Sequence, residues 1–319
     1  MENYNFKIPY RINWTGAYLD CIGKKVITSV IDKYLYFETQ SEDIRLLTVE
    51  SEEKGKVFAA EVTSNYELIT KDWTAYVLGC INVFHENNYP LTKGCKVIVK
   101  GDLPSGIGLG SSASFIIGII KTIAYYNGIK LSDSKLVEYA YWVENTYLDI
   151  PCGLMDFKAV LHDKGIWEID TSSTYLNTDV KISSLACFGF ITYGAKHNHL
   201  SNEVFNINAA KIINYKEIED EKVLNYIKTE ERINQDLIGF QNLLDYNSLG
   251  LFLNRSNNNL KMYINNITKS SHKLHGVYGE KVMGSGLKGS SLILIHPSFM
   301  EQIEKELLKE KRNVIRCKI

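Results

Sequence analysis

Residues 95–128 read CKVIVKGDLPSGIGLGSSASFIIGIIKTIAYYNG, and every other element of the chain can be oriented from this stretch. Its first six residues, CKVIVK, gather β-branched side chains as a half-buried strand does. The run FIIGIIKTIAYY is apolar, and Asn127-Gly128 supplies a helix stop signal. Between strand and helix, Gly106, Gly108 and Gly110 alternate and deliver Ser111 and Ser112 to the helix N-terminus. There, free backbone N–H groups and the positive end of the helix dipole favour an anion. The glycines let the backbone wrap a phosphate closely, and two hydroxyls add donors or a metal ligand. A plain turn in which Ser111 or Ser112 merely caps the helix is the competing reading.

Two familiar phosphate loops do not fit the letters. A Walker A loop needs Gly-Lys-Ser/Thr where this chain has Gly-Ser-Ser. A dinucleotide fold needs G-x-G-x-x-G with an acidic residue about 20 positions on. Here the third glycine comes one position early, and Tyr126, Asn127 and Gly128 fill the window for the acid.

Upstream, residues 26–38 (VITSVIDKYLYFE) read as a strand and 68–86 as an amphipathic helix. Downstream, Ser132 announces a helix whose apolar face carries Leu136, Ala140, Val143 and Tyr147, with Glu144 beside it. The Ser/Thr/Asn/Asp-rich loop 170–179 separates two β-rich regions, so the expected domains are 1–180 and 181–319. The second begins with a buried strand at 187–194 and continues through polar helical stretches over about 201–268. A glycine-rich stretch at 276–290 then enters the strand SLILI, followed by a Glu/Lys-rich closing helix.

Composition bounds the function. Of 319 residues, 45% are hydrophobic and 23% charged, which excludes disorder and collagen-like fibre. Thirty-six Lys+Arg against 37 Asp+Glu leave a net charge of −1, with no positive excess to drive nucleic-acid or membrane-surface binding. Six cysteines without CxxC spacing, no secretory-type start and no apolar run near about 18 residues lead to the expectation of a cytoplasmic protein with free thiols.

The letters PSGIGLGSSAS resemble the P-x-x-x-G-L-G-S-S-A loop of the GHMP kinases, the superfamily of galactokinase, homoserine kinase and mevalonate kinase. PYRINWTGAYLDCIG, residues 9–23, resembles the galactokinase signature P-G-R-x-N-x-x-G-E-H-x-D-Y-x-G, and GEKVMGSGLKGSSLILI resembles the third family motif, G-x-R-x-T-G-x-G-F-G-G. VENTYLDIPCGLMDF is similar to the galactokinase stretch A-E-x-x-x-x-x-x-x-C-G-I-M-D-Q, with the same separation of Glu144 from Asp156. Trp73, Tyr76 and the run AKHNHLSNE (195–203) also look galactokinase-like, so the resemblance extends from residue 9 to about 293.

The resemblance implies a two-lobed α+β fold, with a ribosomal S5 domain 2-like N-terminal lobe and a ferredoxin-like C-terminal lobe. It further implies transfer of the γ-phosphate of ATP to an alcohol with Mg²⁺. Asp156 then corresponds to the base that takes the acceptor's proton, and Arg11 to its cationic neighbour. Gly106, Gly108, Gly110, Ser111, Ser112 and Ala113 correspond to the nucleotide-phosphate loop, and Ser112 and Glu144 to the metal ligands, with Ser111 as the alternate. Ala17, Tyr18, Asp20, Gly153, Gly284 and Gly286 fall at substrate-side positions. These roles answer what phosphoryl transfer demands, namely an aligned hydroxyl, neutralised phosphates and a dry pocket.

Asp20 is kept, whereas Ala17 and Tyr18 replace the family's Glu-His pair, which points to a galactose-related pentose, 6-deoxy sugar or uronic acid as well as galactose itself. The third motif has Met283 in place of Thr or Ser, and Lys288 interrupts its glycine pair. Those departures keep two alternatives open, a non-catalytic sugar and ATP sensor and a GHMP kinase for a non-sugar alcohol.

Overall fold

Alternating apolar and polar side chains draw the first half of the chain into a seven-stranded sheet. The computed structural model describes residues 3–42, 45–68, 72–194, 200–265, 274–284, 286, 290–310 and 313–319, leaving aside the side chains of 200–204. The strands are β1 (Phe6–Thr15), β2 (Val26–Ser41), β3 (Leu46–Ser51), β4 (Lys56–Glu61), β5 (Cys95–Gly101), β6 (Ile166–Ile169) and β7 (Val180–Ser183). Their order is β4-β3-β5-β2-β6-β7, with β1 added against β2. Only the β3–β5 pairing is parallel.

The helices of this half are α1 (Trp73–Glu86), α2 (Ser111–Tyr126), α3 (Asp133–Tyr141) and the short α4 (Met155–Ala159). The Asp72 side chain caps α1 by accepting the Thr74 N–H (2.9 Å), so this helix starts five residues later than the apolar pattern suggests. Residues 69–71 of that expected helix lie outside the described residues. α2 is apolar almost all round because it is wedged between the sheet and α1 and α3. Ile116, Ile117, Ile119, Ile120 and Ile123 are all buried on it, each contributing about 1.5–3 kcal/mol.

The second half comprises β8 (Phe188–Tyr193), α5 (Leu200–Ile213), α6 (Tyr215–Ile218), α7 (Glu221–Gly239), α8 (Tyr246–Ile264), β9 (Val277–Val282), β10 (Ser291–Ile295), α9 (Met300–Lys309) and β11 (Asn313–Lys318). Its antiparallel sheet has the order β11-β8-β10-β9, a ferredoxin-like arrangement. The β3–β4 hairpin and β11 are not evident from the letters. β4 and β11 lie at sheet edges, where charged residues such as Lys56, Glu61, Arg316 and Lys318 break the apolar pattern and one row of backbone groups meets water.

The two halves share one apolar core, in which Ile233, Leu237, Leu249, Phe252 and Leu253 of α7 and α8 join the buried residues of β1. A polar clasp accompanies it at the end of β1. Glu230 accepts the Gly16 N–H (2.7 Å), the Ser256 hydroxyl (2.9 Å) and an Asn259 amide N–H (2.9 Å), while Thr15 Oγ1 bonds Asn234 Oδ1. From β9, the fully buried Lys281 donates to Asn13 Oδ1 (2.6 Å), Trp14 O (3.1 Å) and Asn13 O (3.2 Å). The segment that carries Arg11 and leads to Asp20 is thus held from both sides. No described helix is long and apolar enough to cross a membrane.

Candidate active site

The loop between β5 and α2 turns through positive φ at Gly106 (76°), Gly108 (80°) and Gly110 (76°). Gly110 is itself the N-cap of α2, and no side chain caps the helix. Neither serine is therefore a mere cap. Ser111 Oγ accepts the Gly106 N–H (3.2 Å), which ties the loop to the helix, and Ser112 lies on the wall of the cavity. Ala113 is buried beneath them and is not on that wall.

The loop is pressed from outside by the third glycine stretch. A Cβ on Gly108 would lie 3.0 Å from Met283 O, and one on Gly284 would lie 2.7 Å from Gly108 Cα. Both positions have positive φ, so glycine is required twice over where the two backbones cross. The Ser290 hydroxyl bonds Ile107 O and completes the junction. Gly286 instead packs against Leu260 and Ile264 of α8, off the cavity wall. Ser285, Lys288 and Gly289 lie outside the described residues.

Arg11 reaches the loop from β1. Its guanidinium makes a two-pronged ion pair with Asp156, Nε to Oδ1 at 2.7 Å and Nη2 to Oδ2 at 2.5 Å, and its Nη1 donates to Gly108 O at 2.6 Å. The Arg11 N–H also donates to Leu109 O (3.0 Å). One side chain thereby fixes the distance between a carboxylate and a phosphate-type loop, and the planar fork of arginine suits both tasks.

Glu144 lies on a π-helical turn, Trp142–Tyr147, rather than on a continuation of α3 as its spacing suggests. The wider turn is fastened by the Leu148 N–H on Val143 O (3.0 Å). Glu144 is buried and lines the same cavity as Ser112, together with Trp73 and Tyr76 of α1. Burial raises the pKa of Tyr76, and the negative charge of Glu144 raises it further.

Asp20 sits in a 3₁₀ turn, Leu19–Ile22, directly beside Gly153. A Cβ on Gly153 would come within 2.3 Å of the Asp20 carbonyl carbon, so only glycine admits this approach. Burial lifts the Asp20 pKa to about 7, the charge of Asp156 adds to the rise, and Arg11 opposes it. Ala17 and Tyr18 are buried in the wall beyond, Tyr18 at φ 65° with its ring stacked on Phe205 (5.4 Å). The whole cavity measures about 730 Å³, enough for a nucleotide and a small acceptor.

A family model described as GHMP kinases N terminal domain matches residues 75–164. Over 166 residues the chain is 31% identical to a galactokinase of Pyrococcus furiosus, covering 51% of this chain and 45% of that protein. In this strongest stretch the match thus spans less than half of the relative's length. A galactokinase of Clostridium perfringens is 25% identical over 358 residues, covering 98% of this chain and 91% of that protein. The fold matches a crystal structure of Lactococcus lactis galactokinase complexed with galactose, at TM-score 0.88 and 19% identity, over 100% of this chain and 94% of that one.

Residues 75–164 thus match the N-terminal domain of the GHMP kinases, and nearly the whole chain is similar to galactokinases. Its fold is the two-lobed α+β fold of these kinases, and its likeness is to the galactokinase branch. Three segments that resemble GHMP kinase motifs, far apart in the chain, contribute residues to the lining of one cavity. Several contributors to the site carry no motif. Lys281, Glu230 and Asn234 hold β1 from distant segments, and the turn carrying Glu53 and Lys54 is joined to the loop through Ser105 (2.9–3.0 Å). A Glu-Lys pair, Glu280 and Lys281, inside the strand VYGEKV is the signal that marks Lys281 in the letters. Burial lowers its pKa to about 8, Glu230 opposes the fall and Arg11 adds to it. Residues 195–199, including His197, lie outside the described residues.

Proposed function

We propose that the protein is an ATP-dependent sugar kinase that moves the γ-phosphoryl group of ATP to a monosaccharide hydroxyl and releases a sugar 1-phosphate. The observation that carries this reading is the single guanidinium of Arg11 held simultaneously on Asp156 and on Gly108 O. Asp156 is the group that receives the acceptor's proton. Arg11 keeps both carboxylate oxygens in one plane, directs the carboxylate into the cavity, and offers positive charge beside the loop where the transferring group collects negative charge. The acceptor oxygen forms the new bond to phosphorus, the bond from phosphorus to the bridging oxygen breaks, and ADP departs with that electron pair.

The phosphates lie along Gly106, Gly108, Gly110, Ser111 and Ser112, with backbone donors of the first turn of α2, including that of Ala113, turned to them. Among the described residues no three His, Cys, Asp or Glu side chains gather as a metal cage. One hydroxyl and one buried carboxylate, Ser112 and Glu144, suit an ion that keeps water and phosphate oxygens as its remaining ligands. Mg²⁺ bound there would neutralise the phosphates. Asp20, with Gly153 making room for it and Ala17 and Tyr18 beyond, forms the sugar side, and Gly284 braces the loop from the second lobe. Gly286 belongs to the packing under that brace rather than to the sugar contact. In this scheme the lobes divide near residue 180.

The acceptor is galactose or a related pentose, 6-deoxy sugar or uronic acid. The test is ADP release by the purified chain with ATP, Mg²⁺ and a panel of monosaccharides, with the phosphorylated position read by ³¹P NMR. Turnover with at least one sugar at its anomeric hydroxyl is expected. Binding of ATP and sugar without any sugar phosphate would leave a sensor instead, and turnover of mevalonate-type alcohols alone would move the protein to another branch.

A further inference from the structure

The wall of the cavity beyond Asp20 is built from the rings of Tyr18 and Phe205, with further tyrosines packed behind them. The Tyr18 ring stacks on Phe205 with centroids 5.4 Å apart and meets Tyr263 edge-on at 6.1 Å. The Tyr263 hydroxyl donates to Asn208 O (2.9 Å), and the Tyr226 hydroxyl donates to Ala17 O (2.7 Å). The two tyrosines behind the wall therefore spend their O–H within the cluster, and the cavity meets the rings of Tyr18 and Phe205 and the Ala17 side chain. Asn206, also on the cavity, is exposed and sits at the rim.

Charge is as selective as polarity. Among the described lining residues the cations are Arg11 and Lys54. Arg11 is committed to Asp156 and Gly108, and Lys54 is bound to Ser105 beside the glycine loop (3.0 Å). Neither is available to pair a carboxylate at the aromatic wall, and Asp20 stands next to it with charge of the same sign. A hydroxymethyl group pressed on these rings would lose its bonds to water without a replacement, whereas a methyl or an absent carbon loses nothing.

We propose that the C6 side of the acceptor meets this wall and carries no polar group there, the acceptor being a 6-deoxyhexose or a pentose, and that Tyr18 and Phe205 select it. The proposal rests on the sugar-kinase reading and narrows it, removing hydroxymethyl sugars and uronic acids as preferred substrates.

The experiment uses matched series that differ only at C6. D-Galactose, its 6-deoxy counterpart, the pentose of the same ring configuration and the 6-uronate are each assayed for kcat/KM by ADP release, and the gluco and manno series are treated alike. In the configuration that is turned over best, the 6-deoxy sugar or the pentose is expected to exceed the hydroxymethyl sugar by about 10- to 100-fold, with no turnover of the uronate. Preference for the hydroxymethyl sugar or the uronate overturns the selection by the wall and leaves the kinase standing. Absence of turnover in every series overturns both. Phe205→Gln, at a half-buried position that tolerates a polar end, is expected to reduce the ratio of deoxy to hydroxymethyl kcat/KM at least several-fold. An unchanged ratio in a folded variant would overturn the role of Phe205 and with it the selective wall.

Discussion

Asp156 and Lys158 stand two residues apart on α4, and each forms an ion pair, yet the two pairs do different things. Asp156 is 24% exposed and opens on the cavity, with Arg11 (4% exposed) bracing it from behind. Lys158 and Asp179 are both 0% exposed, and Nζ is surrounded by Asp179 Oδ1 (2.8 Å) and the carbonyls of Asp170, Tyr175 and Ser173 (2.5–3.1 Å). His162 Nε2 lies 2.7 Å from the other Asp179 oxygen, and the Asp170 N–H donates to the first (2.8 Å). The closed pair has every polar atom occupied and fastens the loop 170–179 to α4. The open pair keeps a carboxylate edge free toward a space that a substrate can enter. Access, rather than the pairing of charges, separates chemistry from architecture on a single turn of helix.

Four measurements would break or sharpen that contrast. Asp156→Asn keeps the shape of the open pair and removes its basicity, so kcat should fall by about 10³-fold, equivalent to about 4 kcal/mol, with only a small change in Tm. A fall below tenfold would remove Asp156 from the proton transfer. Lys158→Met leaves Asp179 buried without its cation and should cost about 3 kcal/mol of stability, seen as a Tm lower by about 5–10 °C. Activity per folded molecule should stay within a few-fold, and a loss as large as that of Asp156→Asn would erase the distinction between the pairs.

Arg11→Lys retains charge but loses the two-pronged grip and the reach to Gly108 O. A decrease of about 10- to 100-fold in kcat/KM follows from losing charged hydrogen bonds of about 1.5–3 kcal/mol. Full activity in that variant would mean that charge alone suffices. The smallest effect is at Asp20. Its pKa rises from 3.8 to about 7 on folding, so its contribution to stability is complete below about pH 4 and is lost as pH climbs through about 7. Asp20→Asn should therefore match the parent near pH 4 and be the more stable of the two at pH 8. Urea melts at the two pH values measure the difference, and a gap that closes with rising pH would contradict the assigned environment.

Much of the open pair was legible before any coordinates. The glycine loop, Arg11, Glu144 and Asp156 belong to segments whose letters carry chemistry at short spacing, and α2 and β5 follow from local periodicity. The π-turn under Glu144 was not legible, because one extra residue in a turn leaves the apolar spacing nearly unchanged. Nor was the closed pair, since a lysine in DFKAVLH looks like any helical surface residue until the loop folds over it. The clasp of Lys281 on Asn13 spans 268 residues, and no local pattern announces such a partner.

The amino-acid sequence on its own carried the resemblance to the GHMP kinases, the glycine bend, the carboxylates and the identities of Ala17 and Tyr18. Side-chain identity and near-neighbour spacing are written directly in the letters. Tertiary structure alone decided which carboxylate is open and which is sealed, where the hydroxyls of Tyr226 and Tyr263 turn, and what grips the end of β1. Those outcomes depend on desolvation and on contacts between distant segments, which exist only once the chain has packed.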